Sequence, residues 1–228
     1  MSARLAALAI ATGGVIGSCA TSDGAPVAED PPPDARAAAV GIVVDGCTLA
    51  DEIGSGVVVG EVGQVVTVAH TLSGARGVTV VAADGREHEA TITAFDPDAD
   101  LAVLDVPTLE VAPLPVADGT VELGTATVLG WSPEAGSQPI EVEVSRRLII
   151  TIEDIYVEAE VTRTGMELAG DIDVGVSGAA VIDADGAVAG IVYARSRGRE
   201  AIGFATDAAE LRDLLDDRPQ GSADRCRS

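Results

Sequence analysis

Three side chains in this sequence, each beside a short apolar run, are of the types that acyl transfer requires. His70 ends the stretch Val65-Val-Thr-Val-Ala-His70 and opens into Thr71-Leu-Ser-Gly74. Asp100 leads directly into Leu101-Ala-Val-Leu104, and Ser177 stands between Gly175-Val176 and Gly178. A serine hydroxyl becomes a nucleophile when a base takes its proton, a carboxylate orients that base, and N–H donors meet the developing oxyanion. His70 is the base candidate, because the only other histidine, His88, sits among Arg86, Glu87 and Glu89 on a strand expected to be exposed. Glycines on both sides of Ser177 allow a tight turn, so the N–H groups of Gly175 and Ser177 are expected to share one oxyanion hole. Read singly, each residue has a plainer role: a hydrogen-bonded histidine, a turn-capping aspartate, a serine in a glycine-rich turn. The signal lies in the set, ordered His, Asp, Ser, with each member next to a strand. Aspartates at 96, 98 and 100 also imitate a calcium loop, but Leu101 replaces the glycine at its sixth position and Pro107 the glutamate at its twelfth.

The elements that must position these residues read as strands. β-branched runs recur between turn signals at Val40–Val44, Gly56–Val59, Val65–Val68, Val78–Ala82 and Ala90–Ala94. Further runs follow at Leu101–Val106, Thr125–Leu129, Leu148–Ile152, Ala179–Ile182 and Val188–Tyr193. Asp84-Gly85 and Asp185-Gly186 mark hairpin turns. Between Trp131 and Arg147 few elements are clear, and cleft loops are expected. One helix is predicted over 207–217, where Asp207 caps, Glu210 completes a capping box, and Leu211, Leu214 and Leu215 have helical spacing. The domain is therefore expected to be all-β with a short C-terminal helix. Strand spacing alone does not choose between barrels and a sandwich.

Composition narrows the partners. Acidic residues number 37 against 14 basic ones, a net charge of −23, so a phosphate backbone would be repelled and nucleic-acid binding is excluded as an expectation. Aromatics are only 2% of a chain that is 47% apolar, so the core must be aliphatic. Two histidines and three scattered cysteines argue against a metal site.

The chain opens with Arg4 and an apolar run from Leu5 to Ile16, the pattern of a secretory leader over residues 1–19. Ile16-Gly-Ser-Cys19 is similar to a lipobox, with Cys19 as the lipidation site, and Ser18-Cys-Ala20 offers an ordinary cleavage site as the alternative. Residues 20–37, containing Pro31-Pro-Pro33, are expected to be a flexible tether. The expected location is outside the cytoplasmic membrane or in the periplasm, held by a lipid anchor.

Gly54-Ser-Gly56, Val66-Thr-Val-Ala-His70, Asp96 through Leu104, Gly175-Val-Ser-Gly178 and Gly203-Phe-Ala205 together resemble the successive blocks of HtrA/trypsin-like serine proteases. Gly46-Cys47, Asp154-Ile-Tyr156 and Cys226 are similar to MarP-type envelope proteases. The resemblance implies a chymotrypsin-like pair of six-stranded antiparallel barrels, over about 38–110 and 120–206, within a protease domain of 38–217. It implies a serine endopeptidase acting on protein or peptide substrates without cofactor. It further implies a Cys47–Cys226 disulfide, Cys226 lying in a tail of residues 218–228, and an acidic residue at the base of the specificity pocket, Asp171, with Asp173 as the competing candidate. The chain departs from the family at its serine loop, where Val176 and Ala179 replace Asp/Asn and Gly. A catalytically weak or inactive pseudoprotease that binds peptides or a partner is the alternative. Oligomeric state has no signal in the sequence.

Overall fold

Valine and alanine supply most of the inward positions of twelve strands, and the consequence is a pair of small closed barrels. The computed structural model describes residues 33–172 and 175–227; the leader, Cys19, most of the tether and residues 173, 174 and 228 lie outside the described residues. The first barrel contains β1 (Ala39–Asp45), β2 (Glu52–Val58), β3 (Gln64–Thr67), β4 (Gly77–Val81), β5 (Glu87–Asp96) and β6 (Leu101–Asp105). The second contains β7 (Gly124–Ser132), β8 (Gly136–Glu153), β9 (Glu160–Ala169), β10 (Ala180–Ile182), β11 (Val188–Arg195) and β12 (Ile202–Thr206). Every pairing is antiparallel; the strands close in the orders β1-β2-β3-β6-β5-β4 and β10-β11-β12-β9-β8-β7. Closure leaves no bare sheet edge around either barrel. The two-barrel fold expected from the resemblance is the one observed.

Several local expectations need correction. The stretch Trp131–Arg147 is not a set of cleft loops. Trp131 lies near the end of β7, a short turn follows Ser132, and β8 runs for 18 residues. Its outward polar residues, Glu141, Glu143, Arg146 and Arg147, and the interior Pro139 hide the strand from a composition-based reading. β9 escapes because two of its buried positions are charged, Arg163 at 4% and Glu167 at 5% exposure. His88 is not on an exposed face: it is buried, with Nδ1 2.8 Å from Thr108 Oγ1. Pro33–Ala38, most of them within the expected tether, form α1, with Ala35 and Ala38 in the core.

The C-terminal helix α2 (Ala208–Asp217) begins where its cap predicts. Asp207 Oδ1 accepts from the N–H groups of Ala209 and Glu210. The reciprocal half of the box is absent. Glu210 Oε1 accepts instead from Thr164 N and Oγ1, docking α2 on β9. The tail of residues 218–228 is tied to the first barrel. Phe95 N donates to Pro219 O, Gly74 N to Ala223 O, and Cys47 is bonded to Cys226, with the two Cα atoms 5.8 Å apart. The tail thereby straps both loops of the first barrel that carry the candidate site. Among the described residues, no helix is long and apolar enough to cross a membrane.

Candidate active site

His70 lies in a single 3-10 turn, Ala69–Leu72, which follows β3 after Val68. Asp100 is the last residue of the turn between β5 and β6. Because β3 pairs with β6, the strand that delivers the histidine lies beside the one that follows the aspartate. Asp100 Oδ2 lies 2.8 Å from His70 Nδ1, and Oδ1 accepts the backbone N–H of His70 at 2.9 Å. Both carboxylate oxygens are thus spent on one residue. The carboxyl side chain is 7% exposed and the imidazole 18%. With Nδ1 donating to the carboxylate, Nε2 is the nitrogen left to accept a proton. Asp100 adopts φ 55°, a left-handed conformation uncommon for a residue with a Cβ. Ala69 N also bonds its carbonyl at 3.2 Å.

Ser177 comes from the second barrel, in the loop before β10, and Ser55 of β2 holds that loop. Ser55 N donates to Ser177 O at 2.7 Å, and Ser55 Oγ donates to Gly175 O at 2.9 Å while accepting from Trp131 N at 2.9 Å. Thr67 Oγ1 in turn donates to Ser55 O at 2.7 Å. A Cβ on Gly54 would lie 3.0 Å from Ser177 O and 3.4 Å from Thr71 Cγ2. The serine and the residue after His70 therefore flank the same glycine, one from each barrel. Gly178 has φ +88°, and a Cβ there would meet Ser55 O at 1.9 Å, so no side chain fits. Gly175 has φ +94°. Among the described residues no acceptor takes the backbone N–H of Gly175 or Ser177, the two donors expected for an oxyanion.

Val176 is half-buried and packs on the second core against Gly130, where an added Cβ would meet Val176 Cγ1 at 2.9 Å. Apolar contact replaces whatever a polar residue would do at this position. Ala179 is fully buried without displacing its neighbours' pairing: its N–H bonds Val176 O at 2.9 Å, and its carbonyl accepts from Val192 N. Asp171 is exposed, beside buried Ile172.

Arg163 and Tyr193 carry no site signal readable in the sequence. Arg163 of β9 is buried, with Nη1 donating to Ala99 O at 2.9 Å, and its guanidinium carbon lies 5.3 Å from the centroid of the Tyr193 ring. Burial pushes the Tyr193 hydroxyl up to about 12; the Arg163 cation opposes that rise and the Asp100 anion adds to it. Ser55 was visible as part of a glycine-flanked block, but its hydrogen bonds across the cleft were not.

Residues 54–191, more than half of the chain, match the trypsin-like peptidase domain family. The serine protease Rv3671c of Mycobacterium tuberculosis is 33% identical over 150 residues, which are 65% of this chain and 38% of that protein. The mitochondrial serine protease HTRA2 of Bos taurus is 31% identical over 167 residues, 71% of this chain and 35% of that protein. This chain thus matches well under half the length of either relative. The crystal structure of the Rv3671c protease in its active form superposes with a TM-score of 0.78 at 28% identity, covering 94% of this chain and 100% of that one.

Proposed function

The chain belongs to the trypsin-like peptidase family, and from that premise we propose that it is a serine endopeptidase whose catalytic residues are His70, Asp100 and Ser177. In this reading His70 Nε2 takes the Ser177 hydroxyl proton as Oγ attacks a peptide carbonyl. The tetrahedral oxyanion is met by the N–H groups of Gly175 and Ser177. His70 then returns the proton to the leaving amine, which departs and leaves an acyl-enzyme. Water, deprotonated by the same imidazole, cleaves the ester and regenerates Ser177. The observation that carries the reading is the bidentate hold of Asp100 on His70, 2.8 Å to Nδ1 and 2.9 Å to the backbone N–H. It fixes both the tautomer and the direction of the ring.

The substrate is a protein or peptide. Asp171 would favour a basic side chain next to the cleaved bond; equal cleavage of arginyl and alanyl substrates counts against it. The place of action is the cell envelope outside the cytoplasm, which the disulfide supports. Lipidation at Cys19 would anchor the domain there, and a Cys19→Ala protein is then expected in the soluble fraction.

A pseudoprotease that binds peptides is the second reading, favoured by Val176 in place of a polar residue. A fluorophosphonate probe separates the two, because it reports an activated serine without knowledge of the substrate. Labelling of the wild type, lost in Ser177→Ala and His70→Ala, is expected. A folded wild type that never labels between acid and neutral pH would make the second reading the leading one.

A further inference from the structure

Arg163 is a buried cation with no carboxylate within ion-pair distance among the described residues. It is 4% exposed, its Nε has no partner, and its one hydrogen bond runs from Nη1 to the carbonyl of Ala99. Buried guanidinium groups are ordinarily paired, because losing hydration is costly. Here the compensation is a carbonyl dipole, the face of Tyr193 and the field of nearby acids. Asp96 and Asp98 from the β5–β6 turn and Glu210 from α2 line, with Arg163, a cavity of about 310 Å³. Asp100 itself is faced by His70 and lies within electrostatic reach of Tyr193, as Arg163 does.

The carbonyl that Arg163 holds belongs to the peptide entering Asp100. Rotation of that peptide plane about the N–Cα bond of Asp100 is its φ, and Asp100 sits at φ 55°. A non-glycine residue stays in that region only where its surroundings over-determine it. We propose that Arg163 is a positioning residue, reaching from the second barrel to fix the Ala99–Asp100 peptide so that both carboxylate oxygens of Asp100 meet His70. The catalytic half of this inference rests on the assignment of His70, Asp100 and Ser177 above; the positional half does not.

The test uses the full chain with Arg163→Met and Arg163→Lys, with folding checked by circular dichroism. Hydrogen exchange is followed over residues 69–72 and 98–101, and the fluorophosphonate labelling rate is measured at one neutral pH. In Arg163→Met, exchange in these two segments is expected to rise about tenfold while that of β2 and β6 stays unchanged. The labelling rate is expected to fall about tenfold as the contacts between Asp100 and His70 loosen. Arg163→Lys, which keeps a donor for the Ala99 carbonyl, is expected to restore much of both. A strut that only joined the barrels would lower stability and leave exchange in these two segments level with that of β2 and β6. Unchanged exchange together with unchanged labelling in a folded methionine variant overturns the proposal. If that variant does not fold, Arg163→Gln, whose shorter side chain reaches that carbonyl less well, replaces it with the same expectations, and wild-type exchange and labelling overturn the proposal. A wild type that never labels defeats the catalytic assignment, and the exchange experiment then decides the role of Arg163 by itself.

Discussion

Ser55 has no part in the proposed proton transfers, yet it bonds the Ser177 loop at two carbonyls. It donates to Ser177 O through its backbone and to Gly175 O through its hydroxyl, and that hydroxyl also accepts from Trp131 N. Ser55→Ala leaves the half-buried Gly175 carbonyl and the buried Trp131 N–H without this partner, at a cost of about 1–3 kcal/mol for the buried group. A lower urea midpoint is expected, with fluorophosphonate labelling slowed by about tenfold or more as the loop loosens; unchanged labelling would remove Ser55 from the site. Gly178→Ala is harsher, because its Cβ would collide with the Ser55 carbonyl at 1.9 Å. That variant is expected to lose labelling even where circular dichroism still shows a folded chain.

The long β8–β9 hairpin is the element that ties one barrel to the other. Its tip returns to the first barrel, where Ile155 is buried and its N–H reaches Pro97 O, in the same turn that carries Asp100. Asp154 shapes the tip. Burial alone would raise its carboxyl, but backbone N–H groups of Glu158, Tyr156 and Ala159 hold it below the usual carboxylate range. Asp154→Ala is expected to destabilise the chain by about 1–2 kcal/mol, the cost of a lost cap of this type, measured by urea unfolding. Glu167 on β9 is held by Arg199 and Arg146, whose hydrogen bonds lower it to about 2. A depressed carboxylate contributes stability that is present above its unfolded value and lost as pH falls through the folded one. Stability should therefore decline between about pH 4.5 and 2. Glu167→Gln should flatten that decline; an identical acid profile would show that other carboxylates govern it.

Across the whole molecule, the tail makes a closed unit of what would otherwise be a first barrel with two loose loops. The Cys47–Cys226 bond spans 179 residues of sequence. In the chain-entropy account, closing a loop of that length contributes up to about 5 kcal/mol. Tyr156 Oη donates to Ser222 O, and Arg225 pairs with Glu158 and stacks over the Tyr156 ring, so the tail also meets the hairpin tip. Cys226→Ser is expected to lower the melting temperature by several degrees or more, and an unchanged value would make the strap incidental. The net charge of −23 acts in the opposite sense, through self-repulsion, so moderate salt should raise the melting temperature.

The residues near one another in sequence could be read without coordinates, because their signals are local. Apolar alternation placed most strands, Asp207 placed the start of α2, and the blocks around His70, Asp100 and Ser177 placed the candidate site. Local chemistry failed where long-range contacts override it. Glu210 answers Thr164 instead of its own cap, and His88 is buried though charged neighbours surround it in the chain. β9 buries Arg163 and Glu167 because an arginine pair across the strands and a carbonyl across the cleft compensate them. No sequence window contains those partners, which lie 21 to 64 residues away. Sequence alone determined which side chains were available for chemistry and the order in which the strands present them. Barrel closure decided their company, bringing Ser55 under Ser177 and Arg163 against the peptide of Asp100, because burial and hydrogen bonding are settled between elements and not within them.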